Sequence, residues 1–412
     1  MTKLDELIQE YCPDGVEHKR LGDIATISRG GSFQKKDYTE NGIPCVHYGQ
    51  IYMYYGLFAE KTLSYISEET AQKQRFAEPG DIIMAVTSEN IDDVCKCMAW
   101  LGNEKVAVSG HTAIIRHSIN PKYLVYWLHS SAFYQQKAKI AHGTKVIEVA
   151  PVKLTDVILP VPPLPVQREI VRILDNFTEL TAELTAELTA RKKQYEFYRD
   201  KLLTFDVLGR RTSKVVWRAL GEVCDVVAGG TPSKKDTAYW EHGTIKWLGS
   251  TVCQNQKNIE TVTAYITEKG LAESSTKLMG KGTTLVALVG ATIGKVAFLP
   301  FEAAINQNIA GVYPKNIHEL NPSYVYYACT LLYPKFLALT QGSKLAMANM
   351  SFVRSLKIPV PSLEVQNRIV FVLDNFNALC TDLSSGLPAE IEARQKQYEY
   401  YRDKLLTFTP AD

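Results

Sequence analysis

The sequence has no uninterrupted apolar run long enough to cross a membrane. A membrane-spanning helix needs about 20 predominantly apolar residues, and charged residues interrupt every apolar stretch of this chain. The first residues, Met1-Thr2-Lys3-Leu4-Asp5-Glu6, also lack the apolar core of a secretory signal. We therefore expect a cytoplasmic protein without a membrane segment.

Clustered cysteines and a strong excess of one charge are also missing. Of the eight cysteines, Cys95 and Cys97 are the one close pair, and no second pair lies at a spacing typical of zinc ligands. We expect reduced thiols and no bound metal. The chain carries 46 Lys and Arg against 44 Asp and Glu, a formal net charge of +2. A surface that binds nucleic acid would therefore have to be a local basic patch.

Motifs that carry catalysis are absent as well. The segment Gly290–Val296 approaches the phosphate-loop pattern G-x-x-x-x-G-K-[ST], but it is one spacer residue short and ends in valine. Two Asn-Pro-x-Tyr segments, beginning at Asn120 and Asn321, resemble the Asn-Pro-Pro-Tyr motif of amino-methyltransferases, but both lack the second proline. Asparagine before proline is better interpreted as a helix cap. We predict no catalytic residue and no cofactor on this chain.

What the sequence does contain is one long stretch that occurs twice. The first copy runs from residue 158 to 205 and the second from residue 357 to 408. Both copies open with Pro-x-Pro, continue through Leu-Asp-Asn-Phe and close with Lys-Gln-Tyr-Glu-x-Tyr-Arg-Asp-Lys-Leu-Leu-Thr-Phe. Weaker similarity precedes each copy, where Gly30-Gly31 matches Gly229-Gly230. Such a repeat divides a chain into equivalent structural units.

We predict an α+β protein with two similar mixed α/β domains. The apolar runs Asp81–Val86 and Thr284–Val289 are typical of buried strands. The segments that follow Asn120-Pro121 and Asn321-Pro322 are typical of amphipathic helices. The predicted boundaries are residues 1–152 for the first globular domain, 153–210 for the first helical spacer, 211–352 for the second globular domain and 353–412 for the second spacer.

Each copy of the repeated stretch predicts a long helix with an apolar seam. Apolar residues recur at alternating spacings of four and three: Val166, Ile170, Ile173, Phe177, Leu180 and Leu184, and then Val365, Ile369, Val372, Phe376, Leu379 and Leu383. We expect the two helices to form an antiparallel coiled coil with a pseudo-twofold axis. In an alternative arrangement, each seam packs only on its own globular domain. Gly386 and Pro388 predict a break or kink near residues 384–388.

The first helix also contains a short internal repeat. The tetrapeptide Thr-Ala-Glu-Leu recurs between Thr181 and Ala190. Four residues are slightly more than one helical turn, so each unit adds about 6 Å of helix and a stutter in the heptad pattern. The second copy is instead irregular between Asp382 and Ile391. We predict that these two segments set the distance between the domains.

The strongest candidates for contact with a ligand are two glycine turns that are each followed by a lysine pair. They are Gly30-Gly31 with Lys35-Lys36 and Gly229-Gly230 with Lys234-Lys235. Glycine lets a backbone approach a phosphate closely, and lysine neutralises it. Gly143-Thr144-Lys145 and Gly342-Ser343-Lys344 are a further matching pair. Polar residues that differ between the halves are candidates for reading bases. The predicted DNA-binding residues are Arg29, Gln34, Lys35, Lys36, His47, His111, Lys145, Thr231, Lys234, Lys235, Gln254, Gln307, Asn308 and Lys344.

The doubled Pro-x-Pro-x-Leu-x-x-Gln-x-x-Ile-Val segment, Leu-Asp-Asn-Phe and the Gln-Tyr-Glu-x-Tyr-Arg-Asp-Lys-Leu-Leu ending closely resemble the conserved regions of type I restriction–modification specificity subunits. So does the Gly-Gly-Thr-Pro-Ser-Lys segment of residues 229–234. The resemblance covers essentially the whole chain in order. The first turn departs from it, with Ser32-Phe33 in place of Thr-Pro. The Thr-Ala-Glu-Leu run resembles the spacer of one subfamily of these proteins.

This resemblance implies a DNA-reading subunit without catalysis of its own. Each domain would read one half of a bipartite, asymmetric site on double-stranded DNA. The chain would assemble with two methylation subunits, which carry S-adenosylmethionine, and with restriction subunits, and the isolated chain could self-associate. The predicted partner-binding residues on the helices are Gln167, Arg168, Arg199, Asp200, Gln366, Arg368, Arg402 and Asp403.

Two other functions remain open at this point. One is a stand-alone adenine methyltransferase, for which the two Asn-Pro-x-Tyr segments are the only support. The other is a scaffold protein that is built on a helical rod and does not bind DNA. Binding of S-adenosylmethionine by the isolated chain would support the methyltransferase. Salt-dependent affinity for DNA would exclude the scaffold.

Overall fold

The computed structural model describes residues 2–205, 215–257, 259, 261–340, 347–382 and 385–411. Its contacts divide into two units, one formed by residues 1–185 with 390–412 and the other by residues 186–389. Each unit therefore contains one globular domain, the start of one copy of the repeated stretch and the end of the other. This is the composition that the predicted antiparallel pairing requires, and the pseudo-twofold axis stays a prediction.

The first unit contains two five-stranded sheets and two two-stranded sheets, with helices against them. Its helices are α1 (Lys3–Tyr11), α2 (Leu21–Ile24), α3 (Tyr48–Met53), α4 (Glu68–Ala71), α5 (Pro121–Leu128), α6 (Ser131–Ile140) and the first part of α7 (Leu164–Thr204). Its strands are β1 (His18–Arg20), β2 (Ala25–Arg29), β3 (Tyr38–Thr39), β4 (Ile43–Val46), β5 (Phe58–Ala59), β6 (Ser64–Ile66), β7 (Arg75–Ala77), β8 (Ile82–Ala85), β9 (Thr87–Ser88), β10 (Cys97–Trp100), β11 (Val106–Val108), β12 (Thr112–His117), β13 (Ile147–Glu148) and β14 (Ile158–Pro160). The five-stranded sheets have the strand orders β2-β12-β8-β10-β5 and β3-β6-β4-β11-β7, and the two-stranded sheets are β1-β14 and β13-β9.

The second unit repeats this plan. Its helices are the second part of α7, α8 (Leu220–Val223), α9 (Glu268–Ala272), α10 (Pro322–Thr330), α11 (Tyr333–Thr340), α12 (Met350–Ser355) and α13 (Leu363–Thr381). Helix α14 (Leu387–Leu405) begins in this unit and belongs to the first unit from residue 390 onwards. Its strands are β15 (Val216–Ala219), β16 (Cys224–Ala228), β17 (Ile245–Leu248), β18 (Ala264–Ile266), β19 (Lys277–Met279), β20 (Thr284–Ala287), β21 (Val296–Phe298), β22 (Ala303–Ile305), β23 (Ile309–Pro314) and β24 (Lys357–Val360). The corresponding sheets are β16-β23-β20-β21 and β18-β17-β22-β19.

The core of each unit lies where a short helix meets a sheet and the start of a long helix. In α5 every residue from Tyr123 to Leu128 is buried, and in α10 every residue from Tyr324 to Cys329 is buried. Asn120 and Asn321 cap these helices, since the side-chain oxygen of each accepts hydrogen bonds from the backbone of the second and third residues after it. The Asn-Pro segments are therefore helix starts, as the sequence favoured. All eight cysteines lie among the described residues as buried free thiols.

The two long helices differ in continuity. Helix α7 runs without interruption for 41 residues through the Thr-Ala-Glu-Leu run. The second copy is broken, because α13 ends at Thr381 and α14 begins at Leu387. Pro388 lies in the first turn of α14, where its missing N–H has no helical acceptor to lose. In the described part of the chain, no helix combines the length and the apolar character needed to cross a membrane.

The apolar seam has two kinds of contact. Val166 and Ile170 are buried in the core of the first unit, against the globular domain. Further along, aromatic rings of the two copies meet: Phe177 stacks on Tyr401 in the first unit at 5.4 Å, and Tyr198 lies 6.3 Å from Phe376 in the second. The seam therefore packs on the globular domain at its start and on the other copy farther along, so the alternative in which each seam packs only on its own domain is wrong.

The seam prediction for α13 is wrong at two of its positions. Val372 and Leu379 are exposed, and the buried row of this helix is Gln366, Ile369, Leu373 and Cys380. Heptad spacing identified the helix and the buried position of Ile369, but it assigned Val372 and Leu379 to the covered side, because the globular domain determines which side is covered. Leu383, the last predicted position, lies outside the described residues.

Gln167 and Gln366, which we expected to face outward towards partner subunits, are buried, so this prediction is wrong. Their relative exposures are 2% and 0%. Gln167 Oε1 accepts from the backbone N–H of Asn120 at 2.9 Å, and its Nε2 donates to Pro162 O at 2.7 Å. In the same way, Gln366 Oε1 accepts from the backbone N–H of Asn321 at 2.8 Å, and its Nε2 donates to Pro361 O at 2.9 Å. Each side-chain amide thus satisfies a helix-cap N–H and a carbonyl that precedes the long helix.

We expect Gln366→Ala to lower the free energy of unfolding of the second unit by about 2–3 kcal/mol, because a buried N–H and a buried C=O lose their partner. Urea unfolding of the full-length chain measures this loss. Arg368→Ala is the matched control on the same helix, since Arg368 is 79% exposed and should change stability by less than about 0.5 kcal/mol. Equal stability of the two variants would contradict the assignment.

Candidate nucleic-acid interface

In the first unit, loops that follow four different strands converge at one place. Three backbone hydrogen bonds join them: Gly31 N to Val108 O at 2.6 Å, Ser109 N to Val46 O at 3.1 Å, and Val86 N to His111 O at 3.0 Å. We call this group the first loop cluster; it comprises residues 29–37, 47–53, 86–90 and 109–112. The backbone bonds hold the loops against one another without using the side chains, which remain available for other contacts.

The second unit contains an equivalent group of loops. Its three backbone hydrogen bonds are Gly230 N to Ile305 O at 3.0 Å, Asn306 N to Leu248 O at 3.1 Å, and Leu288 N to Asn308 O at 2.9 Å. We call it the second loop cluster; it comprises residues 228–236, 249–257, 288–295 and 306–309. The matching bonds place His111 of the first cluster and Asn308 of the second at equivalent positions.

Both glycine turns depend on a close approach between backbones. A Cβ added to Gly30 would lie 2.0 Å from Ser109 O, and one added to Gly229 would lie 1.8 Å from Ile305 O. No side chain fits in these gaps, so glycine is required at both positions. The turn predicted from sequence is thus packed directly against the loop that carries His111 or Asn308.

Gln74 holds the first turn from its other side. Its Oε1 accepts hydrogen bonds from Ser32 N at 2.7 Å and from Phe33 N at 3.3 Å. Gln34, Lys35 and Lys36 follow, and all three are exposed. The lysine pair is therefore presented on a turn whose backbone is fixed by neighbouring loops.

The two histidines of the first loop cluster lie on either side of a tyrosine. The ring of His47 is 4.5 Å from that of Tyr48, which is 5.0 Å from that of His111. His47 is buried and caps α3, where its Nδ1 accepts from Gly49 N at 3.2 Å. Burial, with the nearby charges of Lys35 and His111, lowers the pKa of His47. The neutral imidazole is thus favoured, and in it Nδ1 remains the acceptor of the cap hydrogen bond.

Arg29 is bound to other residues of the chain, whereas Lys145 is exposed to solvent. The guanidinium of Arg29 donates to Gly110 O at 3.1 Å and pairs with Glu148 at 2.5 Å. Lys145 is exposed, three residues before Glu148. The structure thus places Arg29 in the first loop cluster, where it binds Gly110 O, while Lys145 is exposed to solvent.

In the second loop cluster, two of the predicted residues are directly joined. Thr231 Oγ1 donates to Gln307 Oε1 at 2.5 Å, which connects the glycine turn to the loop before β23. Asn308 follows in that loop, and its N–H is bound by the side chain of buried Asn306 at 3.0 Å. Lys234 and Lys235 are exposed beside the turn.

Gln254 is exposed on a different loop of the same cluster. Its Oε1 accepts from Lys295 Nζ at 3.3 Å, and its Nε2 donates to Thr251 O at 2.9 Å. Lys344, the last predicted DNA-binding residue, lies outside the described residues.

Sequence reasoning missed several residues in or beside these clusters. Tyr48, Gln74, Asn306 and Lys295 were not predicted, although each contacts or supports a predicted residue. Asn306 could have been found by aligning the loops before β12 and β23, since it corresponds to Ser109. Gln74 carries no such signal, because it is distant in sequence from the turn it supports.

The remaining helix residues predicted to bind partners fall into two groups. Arg168 and Arg368 are exposed. Arg199 pairs with Asp200 at 2.7 Å, and Arg402 with Asp403 at 2.9 Å. Asp403 also accepts from the backbone N–H of Ser131 at 3.2 Å, so this carboxylate is already engaged within the first unit.

Two exposed aromatic residues at equivalent positions of the repeated stretch were missed as well. They are Phe197 on α7 and Tyr400 on α14. The ammonium of Lys201 lies 4.4 Å from the Phe197 ring, and that of Lys404 lies 5.9 Å from the Tyr400 ring. Aromatic residues are enriched on surfaces that bind another protein, whereas lysine is depleted there.

Comparisons with known proteins bear on this geometry. The family model described as the type I restriction modification DNA specificity domain matches residues 13–191 and 212–393. The specificity subunit of the type I restriction enzyme EcoR124I/EcoR124II from Escherichia coli is 39% identical over 296 residues, which are 70% of this chain and 70% of that protein.

Solved structures agree in fold. A chain from a study of complex assembly and conformational transition of the type I R-M system has a TM-score of 0.66 at 18% identity, covering 96% of this chain and 98% of that one. The HsdS subunit from Thermoanaerobacter tengcongensis has a TM-score of 0.53 at 19% identity, covering 96% and 97%. The predicted fold class, with two similar mixed α/β domains and long helices, is confirmed. The comparisons support the specificity-subunit interpretation and not the methyltransferase or scaffold alternatives.

We expect Gly229→Ala to destabilise the second unit by about 1–3 kcal/mol, because the added methyl group must displace the β22 backbone. The shift of the thermal unfolding midpoint of the full-length chain measures this. Gly280→Ala is the control, since nothing lies within 4 Å of the corresponding Cβ position. A midpoint for Gly229→Ala equal to that of the control would show that the turn can move away without cost.

Proposed function

Because this chain belongs to the type I restriction–modification DNA specificity family, we propose that each loop cluster reads one half of a bipartite, asymmetric site on double-stranded DNA. The observation that carries the proposal is the pair of matching loop clusters with different side chains. Equivalent backbone bonds present His111 in one cluster and Asn308 in the other. An imidazole and a carboxamide offer different hydrogen-bonding patterns to a base edge, so the two half-sites should differ.

The chain is a specificity component of a restriction–modification system and not its catalytic subunit. We assign the reading of DNA to residues 1–152 and 211–352 and the spacing between half-sites to residues 153–210 and 353–412. Methylation and cleavage would then be carried out by other subunits in the cytoplasm. The methylation subunits, and not this chain, would bind S-adenosylmethionine.

Within each cluster, the lysine pairs would contact phosphates and the polar loop residues would contact bases. Lys35, Lys36, Lys234 and Lys235 are exposed on turns whose backbone is fixed. Fixed turns suit phosphate contacts, which set the position and orientation of a protein on the duplex. Gln34, His111, Gln307 and Asn308 are the proposed base contacts, together with Gln254.

The partners would be two methylation subunits and, on that assembly, restriction subunits. Arg168 and Arg368 occur at nearly equivalent positions, and Phe197 and Tyr400 at equivalent ones, so two copies of one partner could bind matching surfaces. Gln167 and Gln366 are not part of this proposal, because their amides are used within the chain. The same exposed aromatic rings could support self-association of the isolated chain.

The Thr-Ala-Glu-Leu run would set the length of the unread spacer and would place the chain in the subfamily with this spacer. The run lies inside the continuous helix α7. Thr181 and Thr185 are accommodated there by hydrogen bonds from their hydroxyls to Phe177 O at 2.9 Å and Thr181 O at 2.8 Å. Each unit adds about 6 Å of helix, compared with about 3.4 Å per base pair of DNA.

We expect the double variant Lys234→Ala, Lys235→Ala to bind specific and nonspecific DNA more weakly by a similar factor. Each lost phosphate contact should reduce the slope of log K against log salt by about 0.9. Fluorescence anisotropy of the complex with methylation subunits, measured at several salt concentrations, tests this. Lys19→Ala is a control, because Lys19 lies on β1 outside both loop clusters.

Two results would be decisive against these assignments. A changed sequence preference in the lysine variant would make Lys234 and Lys235 base contacts instead of phosphate contacts. A wild-type complex without sequence-specific, salt-dependent binding would contradict the proposed function itself.

We expect deletion of Thr185–Leu188 to shorten the preferred spacer by one to two base pairs, because about 6 Å of helix is removed and both loop clusters are unchanged. Mapping methylated adenines on a library of sites with varied spacers measures this. Thr185→Ala, which removes one hydroxyl and keeps the helix length, is the control. Altered half-sites with the original spacer would contradict the spacer proposal.

A further inference from the structure

A lysine of the second loop cluster is tied to one of the long helices. Lys257 Nζ donates to Asp374 Oδ1 on α13, and Tyr327 OH on α10 donates to the same oxygen. The Lys257 side chain is 14% exposed, and its ammonium lies 5.2 Å from the Phe298 ring and 5.1 Å from the Tyr327 ring. This ammonium is therefore largely removed from solvent and is held by one carboxylate and two aromatic rings.

The first unit contains the same group of side chains, with the lysine supplied from elsewhere. Lys122 Nζ pairs with Asp175 at 2.7 Å, Tyr126 OH donates to Asp175 at 2.7 Å, and the ammonium lies 4.7 Å from the Phe58 ring. Asp175 and Asp374 are the aspartates of the two Leu-Asp-Asn-Phe segments. Lys122 lies on α5 in the sequence Asn-Pro-Lys-Tyr, where the second unit has Ser323.

Because the lysine comes from a different element in each unit, the ion pair connects different parts of the structure. In the first unit it joins two helices, α5 and α7. In the second unit it joins α13 to the loop after β17, which carries the proposed base contact Gln254. The same local chemistry therefore ties a loop of the second cluster to a helix, while the corresponding ion pair of the first unit involves no loop residue.

The segment between Gln254 and Lys257 has a defined path that transmits this restraint. Asn255 has a positive φ of 60°, and its N–H donates to Val296 O at 2.8 Å while its side chain accepts from Val296 N at 3.0 Å. Gln256 then forms a parallel bridge to Ala297. The segment is thus held along β21 on one side and is fastened to α13 at its end by Lys257.

We propose that Lys257 is a positioning residue for the second half-site, because its ion pair with Asp374 fixes residues 254–257 and so the placement of Gln254. This rests on the proposed function, since it assumes that the second loop cluster reads DNA. Loss of the ammonium leaves Asp374 without its charge partner and leaves the loop end without its attachment to α13. Reading of the second half-site then depends on a contact that lies outside the base-contacting residues.

The experiment uses the full-length chain in complex with its methylation subunits. Initial methylation rates are measured on duplexes that carry single base changes in one half-site or the other. Lys257→Met should reduce discrimination in the half-site read by the second unit by about tenfold and leave the other half-site within about twofold. Lys257→Arg should restore discrimination, because it keeps the positive charge beside the carboxylate and the rings.

Lys122→Met is the matched control. It removes the equivalent ammonium from an ion pair between two helices, so it should lower the unfolding midpoint without changing discrimination in either half-site. A merely structural role for Lys257 predicts the same outcome for both variants. Equal relaxation of both half-sites by Lys257→Met, or no relaxation of either, would overturn the proposal.

A second measurement does not depend on DNA. Amide hydrogen exchange in Lys257→Met should increase at Asn255 and its neighbours more than in the rest of the second unit, because the end of the segment is released. Unchanged exchange there would also overturn the proposal. If Lys257→Met does not fold, Lys257→Gln provides the same comparison with a donor retained and the charge removed. If hydrogen exchange increases in Lys257→Met but the wild-type complex shows no specific methylation, the Lys257–Asp374 restraint on residues 254–257 is supported and the proposed function is rejected.

Discussion

The buried side-chain amides of Gln167 and Gln366 are the contacts on which the rest of the architecture depends. Each lies at the start of a long helix and satisfies one N–H of a capped helix and one carbonyl of the proline segment. Without this bridge, two polar backbone groups would be buried without a partner, which is costly in a protein interior. The amide thus joins the start of each long helix to its globular domain.

A second constraint separates the scaffold from the surface it presents. The loop clusters are held together by backbone hydrogen bonds and by glycines at positions where a Cβ would clash with a neighbouring loop. Because the bonds do not use side chains, the residues at equivalent positions are free to differ, as His111 and Asn308 do. Lys257 shows that the supporting contacts can also differ between the units while the local chemistry is kept. Two divergent binding surfaces can in this way be built on one repeated framework.

Several features followed from the sequence for clear physical reasons. The Asn-Pro caps, the buried strands and the break before Pro388 depend on local conformational preferences that residues carry with them. The glycine turns were recognised because the repeat matched them in otherwise different surroundings. The predictions that failed concern the direction of side chains. Gln167 and Gln366 resembled surface residues because glutamine usually is one, and Val372 and Leu379 had the spacing of a seam but are exposed.

The internal repeat, the mixed α/β class, the long helices and the family can be read from the residues alone, because repetition, periodicity and caps are local or directly comparable along the chain. Tertiary structure decided which face of each helix is covered, which loops converge and which lysine reaches Asp374. These depend on residues distant in sequence, such as Gln74 beside Ser32 and Lys257 beside Asp374. Residue spacing along the chain cannot predict such contacts, because they form only when the folded strands bring the loops together.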